Sequence, residues 1–283
     1  MRTRPVVAVL LVAALIGCAS TRQTQRSDVA RVRLALAQKF ADEGDWAAAL
    51  GAVQAACQAA PGDPEALTLR GIVLRERGLL DEAKTDLVEA VRLRPDSARA
   101  HSALAIVYER QHGTADAEVH HRRALELEPH NAHYLNNLGF HMLARGDARA
   151  AIAPLTQAVR EDPTNARARN NLGFAYGRTH DFTRAAQQFA LGGSTAEAQS
   201  NLGLVYELEG NWAQADSHYR DALRLDPSVR RAQQNLDRLA ARRVPASAPA
   251  AAPTRSGDAP PATPAAATAS LVPAPISSAR GTP

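Results

Sequence analysis

The stretch NNLGFHML (136–143) returns 34 residues later as NNLGFAYG (170–177), and a shorter echo, SNLGLVYE, starts at Ser200. Each copy sets a glycine in the middle of a helix-like phrase, where glycine costs about 0.8–1 kcal/mol relative to alanine. Repeated use of an unfavourable residue needs a gain elsewhere, and close approach of two helix backbones supplies one. Other residues keep the same step of 34: Ala49, Ala83, Ala117, Ala151 and Ala185, and Pro61, Pro95, Pro129 and Pro163. Gly71, Gly139 and Gly173 fall at one or two such steps. From Gly173 to Gly203 and from Ala185 to Ala215 the step is 30, so two markers agree that one repeat has lost four residues.

This period divides the chain into repeats at 30–63, 64–97, 98–131, 132–165, 166–195 and 196–229. Each has a small residue eighth, an alanine twentieth and, in Tyr108, Tyr176 and Tyr206, an aromatic eleventh. The pattern resembles the tetratricopeptide repeat. That resemblance implies an all-α fold: a right-handed superhelix, or α-solenoid, of about six helix-turn-helix repeats. Proline closes each second helix because it cannot continue one. Asp63, Asn131 and Asn165 then start the next first helices. In the short fifth repeat the second helix runs into Gly192-Gly193, and Ser194 with Glu197 forms a capping box for the next helix. SVRRAQQNLDRLAARR (228–243) places Val229, Ala232, Leu236 and Leu239 on one face, so 230–243 reads as a capping helix that closes the stack.

The ends of the chain differ in character. MRTR precedes an apolar run from Val6 to Gly17, which as a helix reaches roughly 18 Å, well short of a ~30 Å hydrocarbon core. Residues 1–17 therefore read as a signal peptide. Its end, Leu15-Ile16-Gly17-Cys18, resembles a bacterial lipobox, which implies acylation of Cys18, a lipidated tether over 18–29 and residence in the bacterial envelope. Ala19 and Ser20, where an inner-membrane protein often carries Asp, favour the outer membrane, facing the periplasm. At the other end nine of the 17 prolines fall in 244–283, a Pro/Ala-rich tail expected to remain disordered. With Cys18 acylated, Cys57 has no partner for an intramolecular disulfide and is expected to pack as a small buried group.

Composition narrows the function. The chain is 45% apolar but only 4% aromatic, which suits helices packed through small residues. A formal charge of +4 over 283 residues, part of it in the leader, argues against nucleic acid. No phosphate loop, nucleophile elbow or paired zinc ligands occur, so no enzyme activity, cofactor, metal or small-molecule substrate is expected. His120, His121, His130, His133 and His141 are close in sequence, but His130 and His133 straddle a helix start and the adjacent His120 and His121 diverge by about 100°, so they read as solvated faces.

The resemblance also implies a concave groove lined by the first helices. Carried onto this chain, it comprises His133, Asn136, Asn137, Phe140 and Leu143, then Arg167, Asn170, Asn171, Phe174 and Arg178, then Asn201 and Leu204. Asparagine amides can serve an extended peptide backbone or bond between neighbouring helices. The family's carboxylate clamp needs Lys at the fifth place, where Asn136, Asn170 and Ser200 stand. Residues 101–143 are similar to the middle repeats of the type IV pilus pilotin, and the short repeat to the tight-adherence (Flp pilus) D lipoprotein. These resemblances imply a lipid-anchored scaffold whose partner is an envelope protein such as a secretin or pilus component. The alternative is an adaptor that docks and regulates peptidoglycan hydrolases or proteases.

Overall fold

The computed structural model describes residues 27–243. The segment read as a signal peptide, Cys18 and the segment expected to form a disordered tail lie outside them. Among the described residues the chain forms helices and no strand. Helix α1 spans 27–42, so it begins inside the segment assigned to the tether. It is followed by α2 (Trp46–Ala59), α3 (Pro64–Glu76), α4 (Leu80–Leu93), α5 (Ala98–Arg110) and α6 (Thr114–Leu127). These six helices form one compact unit, which ends at Pro129. A second unit starts at His130 and holds α7 (Ala132–Ala144), α8 (Ala148–Glu161), α9 (Ala166–Arg178), α10 (Phe182–Gly192), α11 (Thr195–Leu208), α12 (Trp212–Leu225) and α13 (Arg230–Arg243). None of these helices is long and apolar enough to cross a membrane.

The recurring glycines act at the contact between the two helices of one repeat. A Cβ at Gly173 would lie 2.5 Å from Cε1 of Phe189, and one at Gly203 would lie 2.6 Å from Cδ1 of Tyr219. Gly71 meets Leu87 and Gly139 meets Leu155 in the same way. A bare helix surface thus admits a large side chain from the partner helix, and packing offsets the propensity lost. Ala37 and Ala105 hold the place in the first and third repeats, both fully buried.

Within each unit a second register joins successive repeats, through apolar residues at the third, seventh and tenth places of the first helices. Ala100 packs with Leu67 and Ala90 of the preceding repeat. Leu172 and Ala175 pack with Ala151 and Leu155, and Ala198, Leu202 and Val205 with Ala185 and Phe189. Ala232 and Leu239 of α13 close the stack on Ala215, Tyr219 and Ala222.

The helix ends follow their local chemistry. Asp63 accepts from the Glu65 amide at 2.9 Å ahead of Pro64, and Ser194 with Glu197 completes the expected capping box. Helix α10 has 11 residues where α8 and α12 have 14, so the missing residues come from the second helix of the fifth repeat. Each intra-repeat turn uses one left-handed residue. Gly44, Gly78, Gly146 and Gly210 take it, but in the third and fifth repeats it falls to His112 and His180, each at φ 63°. A side chain is strained in that conformation. Cys57 is buried as expected, and burial raises its thiol pKa above the ordinary range.

Of the clustered histidines expected to be solvated, His130 and His133 are exposed and His120 is half-buried, but the expectation is corrected for His121 and His141, which are buried, as is His101. The cause is register: His121 stands where Leu87 and Leu155 stand in their repeats, and His141 where Val73 and Val107 stand. His121 Nε2 lies 3.1 Å from Oε1 of Glu109.

Candidate partner-binding surface

All twelve residues expected to line the groove fall on α7, α9 and α11 of the second unit. Each of these helices is started by a side-chain cap. Asn131 accepts from the amides of His133 (3.0 Å) and Tyr134 (3.3 Å), Asn165 from that of Ala168 (3.0 Å) and Ser194 from that of Glu197 (3.2 Å). The caps fix where each helix begins, and so which residues align from one helix to the next.

The asparagines align into a ladder. Asn171 Nδ2 donates to Asn136 Oδ1 at 2.9 Å, joining α9 to α7. Asn201 Nδ2 donates to Asn170 Oδ1 at 3.2 Å, joining α11 to α9. Asn170 spends one of its own protons on the carbonyl of Gly192, at 3.2 Å, where the shortened α10 ends. Of the two roles open to these amides, bonding between helices is the one the structure shows. Asn136 and Asn201 are buried, whereas Asn137, Asn170 and Asn171 are half-buried. Each amide has two donors and an acceptor with two lone pairs, and the half-buried ones are in part open to solvent.

The remaining residues divide by exposure. Leu204 is buried, and Phe140, Leu143 and Phe174 are half-buried. Leu143 packs beside the Ala151, Leu155, Leu172 and Ala175 cluster. The Phe174 ring stands edge-on to Phe189, with centroids 5.0 Å apart, and Phe189 fills the space opened by Gly173. His133, Arg167 and Arg178 are exposed. Arg178 is held by Glu209, with Nε 3.3 Å from Oε1, and Nδ1 of His180 lies 3.4 Å from the other oxygen of the same carboxylate. The surface is thus a hydrogen-bonded amide seam beside half-exposed apolar groups, with His133, Arg167 and Arg178 exposed on the same helices.

Sequence reasoning missed the network that fixes the last helix. Glu207 Oε1 accepts from Arg238 Nε at 3.0 Å, and Oε2 accepts from Arg238 Nη2 and from the Tyr219 hydroxyl, both at 2.7 Å. Burial and the neighbouring carboxylate hold the Tyr219 pKa well above the usual phenol range, so the hydroxyl remains a donor. The signal was available: Glu207 holds the twelfth place of its repeat, where Ala41, Leu143 and Gly177 stand in others, and a carboxylate there needs a partner.

These features define a tetratricopeptide-repeat protein. Models of that repeat match residues 71–111, 141–193 and 196–229. Over 69 residues the chain is 38% identical to the type IV pilus assembly protein PilF of Pseudomonas aeruginosa, a match covering 24% of this chain and 27% of that protein. The chain therefore aligns with about a quarter of the curated relative. In structure it is similar to PilW, described as a widely conserved type IV pilus biogenesis factor, with a TM-score of 0.63 and 18% identity over 74% of this chain and 98% of that one. The P. aeruginosa pilF structure gives a TM-score of 0.60 and 16% identity, covering 76% and 99%. YrrB, described as having an unusual peptide-binding site, gives 0.50 and 20%, covering 64% and 96%. At these identities the structural likenesses concern the fold.

Proposed function

We propose that the chain is an interaction scaffold of the bacterial envelope, anchored by acylation of Cys18, that holds a segment of a pilus or secretion component along α7, α9 and α11. The observation that carries this reading is the surface itself. Three successive first helices are tied by hydrogen bonds between asparagine side chains and present Phe140, Leu143 and Phe174 half-exposed beside His133, Arg167 and Arg178. A pre-organised surface of this kind loses little entropy when an extended chain docks, and the outer amide groups can satisfy that chain's backbone. The sequence match to PilF and the fold shared with PilW favour a pilus component as the partner.

The test is a photo-reactive amino acid at His133, introduced in the source bacterium and followed by mass spectrometry of the cross-linked species. A secretin or other pilus component among the dominant products supports the proposal. Cell-wall hydrolases or proteases in their place would make the protein a docking adaptor. The anchor is tested separately. Cys18→Ala should leave the repeat units folded but unacylated, so metabolic labelling with an alkyne fatty acid should mark the unmodified chain only.

A further inference from the structure

The two ends of the repeat array are finished differently. At the C-terminal end α13 presents exposed Arg231, Gln233, Gln234 and Asp237, the polar back that a repeat stack needs where it meets water. The first helix has no such back. Its third and seventh places hold Val32 and Leu36, which are 68% and 45% exposed. The same places hold Ala100 and Leu104 in the third repeat, Leu172 in the fifth, and Ala198 and Leu202 in the sixth, all buried. Val29, one turn before Val32, is 40% exposed. Helix α1 therefore shows bare the face by which the third, fifth and sixth repeats stack on their predecessors.

We propose that this face of α1 lies on a lipid surface, at the boundary between headgroups and acyl chains; the inference rests on the lipid anchor at Cys18. Only residues 19–26 separate Cys18 from the start of α1. Even fully extended, that chain spans about 30 Å, so the anchor holds the helix beside the bilayer. The tenth place of the register chooses between lipid and a second copy of the chain. It holds buried Val73, Val107, His141, Ala175 and Val205 elsewhere, but Lys39 in α1, exposed and 3.9 Å from Glu43. A two-fold contact through α1 would bury two lysine ammonium groups at one interface, which is unfavourable without full pairing. At a bilayer the lysine stem lies along the apolar face while its ammonium reaches the phosphates. Arg22 and Arg26 precede the helix in sequence, and Arg31 is exposed beside Asp28, so basic residues outnumber acidic ones in the sequence from Ala19 to Lys39.

The test uses the full lipidated chain in vesicles of phosphatidylethanolamine and phosphatidylglycerol. An environment-sensitive fluorophore is attached through Val32→Cys, with a reference label through Val119→Cys, an exposed position on α6. Buried Cys57 and acylated Cys18 do not compete for the label. Phospholipid brominated near the glycerol end of its acyl chains should quench the label at 32 several-fold more than the label at 119. Equal quenching on chains that float with the vesicles overturns the proposal and leaves the anchor standing. Chains that fail to float overturn both. A label at 32 that is shielded from water yet not quenched by bromolipid assigns the face to a second copy or another protein, and overturns the proposal.

Discussion

Arg238→Ala should loosen the last helix from the sixth repeat. The Glu207 side chain is 4% exposed, and it receives two hydrogen bonds from Arg238 and one from the Tyr219 hydroxyl. Removing one partner of a fully buried pair costs about 3–5 kcal/mol, because the other charge remains desolvated. The Arg238 side chain is 35% exposed, so water replaces part of what is lost, and about 2–3 kcal/mol is expected. Adding Glu207→Gln removes the stranded charge while its amide oxygen still accepts from Tyr219, and should restore at least about 1 kcal/mol. Trp212 in α12 is a local reporter, with the Arg242 guanidinium 5.5 Å from its ring. A Trp46→Phe background leaves Trp212 as the sole tryptophan. Repeat arrays need not unfold as one unit, so the quantity to read is the urea transition seen by Trp212. A shift below about 0.5 kcal/mol for Arg238→Ala, or a double variant as unstable as the single one, would refute the reasoning that a buried charge is being held.

Gly173→Ala gains about 1 kcal/mol of helix propensity but meets the Phe189 ring at 2.5 Å. Overpacking costs ~1–3 kcal/mol, so a lower denaturation midpoint is expected, and a higher one would mean that the ring yields. His112→Gly and His180→Gly, at φ 63°, should each stabilise by about 1 kcal/mol, measured as a raised Tm. The structure also alters what Asn136→Ala with Asn170→Ala should do. Both substitutions remove acceptors, stranding Asn171 and Asn201 donors, so a loss of roughly 1–3 kcal/mol per bond is expected in urea titration alongside any loss of partner capture. Burial lowers the pKa values of His101, His120 and His218. Their unfolded forms therefore bind protons first, and stability should fall as pH drops below about 6.5. The urea midpoint should be lower at pH 5.5 than at pH 7.5, and His120→Gln should flatten that dependence.

The pair His101 and His120 shows where the acid sensitivity is concentrated. His101 Nε2 lies 3.1 Å from the Pro95 carbonyl, so in the neutral ring that nitrogen carries the proton and Nδ1 is left as an acceptor. His120 Nδ1, 2.8 Å away, must then be the donor. The contact tolerates one added proton, because a neutral His120 can carry its proton on Nε2 and accept from His101 Nδ1, but not two, when both Nδ1 atoms would be donors. Burial makes either proton unfavourable, and both ring pKa values are depressed accordingly.

The fold was legible because its signals are spacings. Gly139 and Gly173 mark helix contacts, the recurring prolines mark helix ends, and the 30-residue step marks the short α10. What was not legible depends on carrying the same register into polar residues. Counting places would have put His121 among Leu87 and Leu155, inside the unit, and would have marked His112 and His180 as left-handed. Local sequence shows only a run of histidines, because solvation follows place in the repeat and not residue type alone.

The asparagine ladder shifts where specificity should reside. A side chain already bonded to the next helix discriminates poorly between partners, since exchanging that bond for one to a ligand gains little net energy. Asn136 and Asn201 are moreover buried. Their effect on binding would run through the spacing of α7, α9 and α11, which the ladder sets. Selection then falls to the groups that differ along those helices and reach the surface: Phe140 and Phe174 for apolar side chains, and His133 and Arg167 for acidic ones. A Phe140→Ala, Arg167→Ala variant, with its ladder intact, should lose partner capture while its urea midpoint moves far less than that of the double asparagine variant. The opposite ordering would return recognition to the amides.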